Sequence, residues 1–223
     1  MVDPTFGFIS PDIPPESLRN HLQSGPPLQL GVMASGSGSN FETIAQTIAD
    51  GRLHAQIQVL IYNNPEAKAA ARAARLNIPA VLLNHRDFAT REELDLKIAV
   101  TLRQFGVEWV IMAGWMRLVT HALIEAFPDR ILNIHPSLLP SFPGIHAVEQ
   151  ALKAGVKVAG CTVHIVTLEM DSGPILMQAA VPILPGDNPT TLQSRIQVQE
   201  HRIYPRAIAL AAALQTGFSW GDP

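Results

Sequence analysis

The sequence predicts an α/β domain, a Rossmann-like and mostly parallel sheet with helices on both faces. Three observations carry this expectation. Short runs rich in β-branched and apolar residues alternate with helical patterns along most of the chain. Those runs are continuously apolar rather than alternating, as expected of strands covered on both sides. Polar or glycine-rich turns follow the strands, where ligands of open α/β sheets bind. The 223 residues, 47% hydrophobic with a mean hydropathy of +0.16, suffice for one buried core.

Each element has its own local reason. Residues 28–33 form a short apolar strand, and the Gly/Ser turn after it opens a helical pattern over 41–49. Residues 55–62 are β-branched and stop at Asn63-Asn64-Pro65, a turn signal. The Ala/Arg-rich segment 66–76 is helical and closed by Asn77 and Pro79; 80–83 is a short strand. Leu94, Ile98, Thr101, Leu102 and Phe105 give 90–105 helical spacing, and Gly106 stops it. Strand 109–112 ends at Gly114, helix 120–127 follows, and 130–135 is the next strand. Helix 147–154 precedes strands 158–166 and 175–181, which only a loop separates, so an antiparallel pair is possible there. Residues 190–214 form a long terminal helix.

Composition narrows the rest. Pro4, Pro11, Pro14, Pro15, Pro26 and Pro27 crowd a segment without sustained apolar period. Residues 1–27 therefore read as a flexible, extended arm outside a single catalytic domain, 28–216, with a short tail, 217–223. The arm lacks the basic and apolar regions of a secretory signal. Its Asp3, Asp12 and Glu16 fit a transit peptide poorly, so a cytoplasmic location is expected. No apolar run approaches the roughly 18 residues of a membrane span. The 16 Lys+Arg against 19 Asp+Glu give a net charge of −3, without the basic excess that nucleic-acid binding needs. The single Cys161 excludes an internal disulfide and a multi-cysteine metal site; it reads as a buried thiol, and His164 on the same strand as structural.

Four constellations can carry chemistry. Gly36-Ser37-Gly38-Ser39-Asn40 joins a strand to a helix, where backbone N–H groups can close on an anion. Without a Walker lysine or a third glycine, the loop suits one small phosphate better than a dinucleotide. Ser39 or Asn40 could also cap the helix. On the strand before Pro136, Asn133 and His135 share one face, and an amide beside an imidazole can polarise a carbonyl and move a proton. Asp171, in Glu169-Met170-Asp171-Ser172-Gly173-Pro174, could raise the pKa of a neighbouring histidine. Gln197 and Glu200 share a face of the terminal helix. For the last two, the residues by themselves favour the plainer readings, an Asp-Ser-Gly turn and a solvated helix face. Zinc-protease and nucleophile-elbow motifs are missing, so one bound substrate must supply the nucleophile.

These segments, with Ala113-Gly114-Trp115-Met116-Arg117, the run from Leu132 through His135-Pro136-Ser137-Leu138-Leu139 to Pro140, and the run from Arg195 to Pro205, occur in one order. From about residue 28 to the terminal helix, the chain resembles the phosphoribosylglycinamide formyltransferases, a branch of the folate-dependent formyltransferase family. The resemblance implies the formyltransferase fold and transfer of formyl from 10-formyltetrahydrofolate to the amine of glycinamide ribonucleotide, a step of purine biosynthesis. It implies that Asn133 and His135 contact the formyl oxygen, with His135 as general acid, and that Asp171 tunes His135. Gly38, Ser39 and Asn40 would hold the ribonucleotide phosphate, and Gln197 and Glu200 would contact the ribonucleotide. Folate would lie across Met116, Arg117, Leu118 and Val119, beside Asn133 and the loop from Thr167 to Asp171, with Arg91 near its glutamate tail. The partners implied are these small molecules, with folate a consumed co-substrate, no tightly bound cofactor, no metal, no nucleic acid and no membrane; the chain would be a monomer or homodimer. Two features depart from the pattern: the proline-rich arm, and Trp115 where Phe is usual. A formyltetrahydrofolate hydrolase and a catalytically silent folate- or nucleotide-binding module are the alternatives.

Overall fold

The computed structural model describes residues 7–23 and 25–218. In chain order it contains β1 (Phe8–Ser10), α1 (Pro15–Leu22), β2 (Leu28–Ala34), α2 (Ser39–Ala49), β3 (Ala55–Tyr62), α3 (Lys68–Arg75) and β4 (Ala80–Leu82). A 3-10 turn at His85–Asp87 leads into α4 (Arg91–Gln104), β5 (Trp109–Met112), α5 (His121–Ala126) and β6 (Ile131–His135). The chain continues through α6 (Ala147–Ala154), β7 (Val158–Ile165), β8 (Ile175–Pro182) and α7 (Pro189–Gln215).

One sheet holds the strands in the order β1-β8-β7-β6-β5-β2-β3-β4. From β4 to β6 every pair is parallel, whereas β6/β7, β7/β8 and β8/β1 are antiparallel. The expected antiparallel pairing of the last two strands is present. Strand β2 sits between β3 and β5, where the order of connection reverses, so the loop after it opens at a topological switch point. The helices form two layers. Leu18 of α1, Phe41 and Ile44 of α2 and Ile203 to Ala213 of α7 share one core face with Leu132 and Ile134. Leu94, Ile98 and Leu102 of α4 and Leu123 of α5 pack on the other with Val110 and Met112.

The N-terminal segment corrects the expectation of an extended arm outside the domain. Strand β1 extends the sheet edge, pairing Phe8 with Ala180 and Ser10 with Gln178. Helix α1 starts at Pro15, a position that tolerates proline because its N–H would be unpaired anyway. It buries Leu18 and Leu22, one turn apart, in the core face shared with α7. Arg206 of α7 donates to the Ile13 carbonyl at 2.7 Å. The prolines around these two elements interrupt any sustained apolar period, which is why the segment reads as an arm from the sequence alone. The tail expected at 217–223 lies mostly outside the described residues; Phe218 packs its ring against His21 at 5.4 Å.

Helix α7 ties the layers to the site. Its Tyr204 hydroxyl, fully buried, stands 3.1 Å from the carbonyls of both Met112, the last residue of β5, and Leu132 of β6. Pro205 lies inside the helix and removes one backbone donor from its ladder. A capping box at Asn188 and Thr191 fixes the start of α7. Just inside it, Arg195 grips Asp187 with two hydrogen bonds of 2.7 and 2.9 Å.

Candidate active site

A cavity of about 670 Å³ opens beyond the carboxyl ends of β2, β5 and β6. Its first wall is the Gly/Ser loop. Gly38 adopts a left-handed φ of 72°, and a Cβ there would meet the Ala69 Cβ of α3 at 2.7 Å, so the turn excludes any side chain. Gly38 is itself the N-cap, with no side-chain capping bond, so Ser39 and Asn40 begin the helix rather than cap it. Free backbone donors and the helix dipole therefore face the cavity. Arg72 braces the loop, donating to the Ser37 carbonyl at 2.8 Å, and pairs with Glu42 behind it.

The terminal helix supplies the second wall. Gln197 donates to the Ser39 hydroxyl at 2.9 Å, and Asn40 donates to Glu200 at 2.9 Å. Glu200 is buried, which overturns the solvated-face reading of this pair. Burial pushes its carboxyl above the usual range, while the Asn40 amide works the other way. The Asn40 side-chain oxygen is buried without a protein partner.

The third wall carries an amide, two imidazoles and a carboxylate. Asn133 and His135 project from β6, and Leu132 and Ile134 join the core behind them. Register pairs Asn133 with His164 of β7, and the Asn133 amide lies 3.2 Å from His164 Nε2. His164 Nδ1 donates to the Ile165 carbonyl at 3.0 Å, and its Nε2 faces both the Asn133 amide and Asp171. His135 Nδ1 is 3.4 Å from Asp171 Oδ2, and its Nε2 donates to the Phe142 carbonyl at 2.9 Å. Asp171 has a left-handed φ of 53° and accepts the Gly144 N–H at 2.7 Å; its other oxygen is 3.7 Å from His164. Burial alone would raise the Asp171 carboxyl. The His164 ring, the Gly144 N–H and His135 outweigh it and hold the carboxyl below its usual range. A plain Asp-Ser-Gly turn does not account for those partners.

The fourth wall is the segment after β5. Met116 N–H donates to Ser35 Oγ at 2.9 Å, and buried Asp95 of α4 accepts the Thr120 N–H at 2.6 Å. Between these anchors Met116, Arg117, Leu118 and Val119 line the cavity, opposite Thr167, Leu168 and Met170. Met116, Leu118, Ile145, Leu168 and Met170 leave large apolar surface exposed around the mouth, a surface suited to a flat, partly apolar ligand. Trp115 is buried at the edge of the cavity, and its indole N–H has no protein partner.

The structure thus brings together Gly38, Ser39, Asn40, Asn133, His135, Asp171, Gln197, Glu200, Met116, Arg117, Leu118, Val119 and Thr167 around one cavity. Arg91 is not among its lining residues; it stands exposed at the start of α4. Sequence reasoning missed His164, read as structural, because only strand pairing reveals that it faces Asn133. It also missed the Gly144-Ile145-His146 turn, whose backbone holds Asp171. Cys161 is a buried free thiol, as expected.

Comparison with known proteins agrees with this architecture. The formyl transferase family profile matches residues 28–208. The phosphoribosylglycinamide formyltransferase of Bacillus subtilis is 42% identical over 180 residues, covering 81% of this chain and 92% of that protein. The crystal structure of glycinamide ribonucleotide transformylase 1 from Symbiobacterium toebii superposes with a TM-score of 0.83 at 46% identity, over 87% of this chain and 92% of the other. The trifunctional purine biosynthetic protein adenosine-3 of Drosophila pseudoobscura pseudoobscura is 42% identical over 194 residues. That match covers 86% of this chain but only 14% of the larger protein.

Proposed function

Because the chain belongs to the formyl transferase family, we propose that it transfers the formyl group of 10-formyltetrahydrofolate to the amine of 5′-phosphoribosylglycinamide, giving the N-formyl ribonucleotide of purine biosynthesis. The observation that carries this reading is one cavity with a phosphate-sized loop at one end, an apolar mouth at the other and Asn133, His135 and Asp171 between them. Two substrates can meet there, with the reacting carbonyl at the polar middle.

The ribonucleotide phosphate sits on the N–H groups of Gly38, Ser39 and Asn40. Glu200 and Gln197 receive the rest of that substrate, since Glu200 is a buried carboxylate able to accept hydrogen bonds from sugar hydroxyls. Folate lies across Met116 to Val119 and the segment around Thr167. The substrate amine attacks the formyl carbon, and the carbonyl π electrons move to oxygen. The Asn133 amide and His135 stabilise that oxyanion; His135 lends its proton to the oxygen as general acid and takes it back as the carbonyl re-forms. The carbon–nitrogen bond to folate then breaks, and the folate nitrogen takes up the proton that the attacking amine releases. Asp171, kept ionised by its neighbours, fixes the His135 ring and assists this proton transfer. His164 holds the Asn133 amide at its working angle.

The deciding experiment follows formyl transfer with the authentic pair, with and without the ribonucleotide. Turnover requires both substrates if the reading is right. Formate release from the folate alone marks a hydrolase, and binding without turnover marks a silent module.

A further inference from the structure

We propose that the pocket among α1, α2 and α7 is a second anion site, which takes a small molecule carrying a pyrophosphate group. This cavity, about 430 Å³, is separate from the site above. Arg19 enters it from α1, Arg52 from the turn after α2, and His201, Arg202 and Arg206 from α7; Glu16 is the single carboxylate in its lining. Leu18, Pro205 and Ala209 form an apolar wall beside them.

The guanidinium tips have protein partners. Arg52 pairs with Asp50 at 2.8 Å, Arg202 donates to Gln199 at 3.0 Å, and Arg206 reaches the Ile13 carbonyl at 2.7 Å and lies 3.5 Å from Asp12. The inner nitrogens do not: Arg19 Nε, Arg206 Nε and His201 Nε2 are buried with no hydrogen-bond partner in the protein. Arg19 Nε and Arg206 Nε can only donate, and buried donors are ordinarily satisfied, so two in one pocket mark an acceptor supplied from outside. Arg19, Arg52, Arg202 and Arg206 outnumber Glu16 and the partners Asp50 and Asp12, which leaves a positive excess. A pyrophosphate presents several charged oxygens to planar guanidinium forks, the geometry that arginine matches best. The phosphate loop cannot be the same site, because it precedes α2 whereas Arg52 follows it. The 11 residues of that helix separate the two by about 16 Å.

The test is calorimetric titration of the full chain with pyrophosphate while saturating glycinamide ribonucleotide fills the phosphate loop. One equivalent should bind, and Arg19→Gln and Arg52→Gln should each weaken it about tenfold or more. Arg52 is exposed and holds only Asp50, so its variant should fold normally, with an unchanged Tm as the check. No binding beside the ribonucleotide, or binding that both variants leave unmoved, overturns the proposal.

Discussion

His135 lies between two acceptors, Asp171 and the Phe142 carbonyl, and these contacts fix its ring. Replacing His135 with Ala should lower kcat by about 10²- to 10⁴-fold, the usual worth of a positioned general acid, and leave KM for the ribonucleotide nearly unchanged. Steady-state kinetics with both substrates varied checks this; a kcat within a few-fold of the parent enzyme would remove His135 from its role. Glu200 predicts a trade of another kind. Its carboxyl is raised by burial, so the charged form costs stability as pH rises through the folded value. Glu200→Gln keeps an acceptor for Asn40 and removes the buried charge. Thermal melting near neutral pH should show a higher Tm, while KM for the ribonucleotide should rise on the order of tenfold.

At the scale of elements, the phosphate loop and the N-terminal helix make separate claims. Gly38→Ala places a methyl group against Ala69 at a left-handed φ. It should cost about 1–2 kcal/mol from the backbone alone, more with the clash, and weaken ribonucleotide binding more than folate binding. Denaturant unfolding beside substrate titration separates the two effects. Helix α1 is part of the core, not an appendage. Leu18, 1% exposed, should cost about 3 kcal/mol when truncated to Ala, as buried leucines do. If urea unfolding showed Leu18→Ala to be neutral, the docking of α1 on α7 would not contribute to stability.

For the whole molecule, acid stability should be set by carboxylates that are paired in the fold. The Arg195 hydrogen bonds hold the Asp187 carboxyl far below the usual range despite its burial, and Asp171 is also lowered. The unfolded chain therefore binds more protons than the native one in that window. The stability these groups contribute is present above an unfolded pKa of about 4 and is lost as pH falls through their folded values. Unfolding followed from neutral to acid pH should show that decline, and Asp187→Asn should flatten it while costing about 3 kcal/mol at neutral pH. Among the described residues no helix is long and apolar enough to cross a membrane. The strands and helices from residue 28 onward were legible because turn residues bound apolar runs and helical spacings there, and β3, β5 and α6 have the very bounds that the pattern indicates. The phosphate loop and the Asn133/His135 pair were legible for the same local reason: a turn and a strand face are defined by neighbours in sequence. The sequence by itself therefore determined the α/β class, the family and the candidate residues to look for. Only the tertiary structure decided that α1 and β1 belong to the domain, that Glu200 is buried, that His164 faces Asn133 and that Arg91 stands away from the cavity. Each of these depends on contacts between segments distant along the chain, and such contacts are fixed by packing rather than by local pattern.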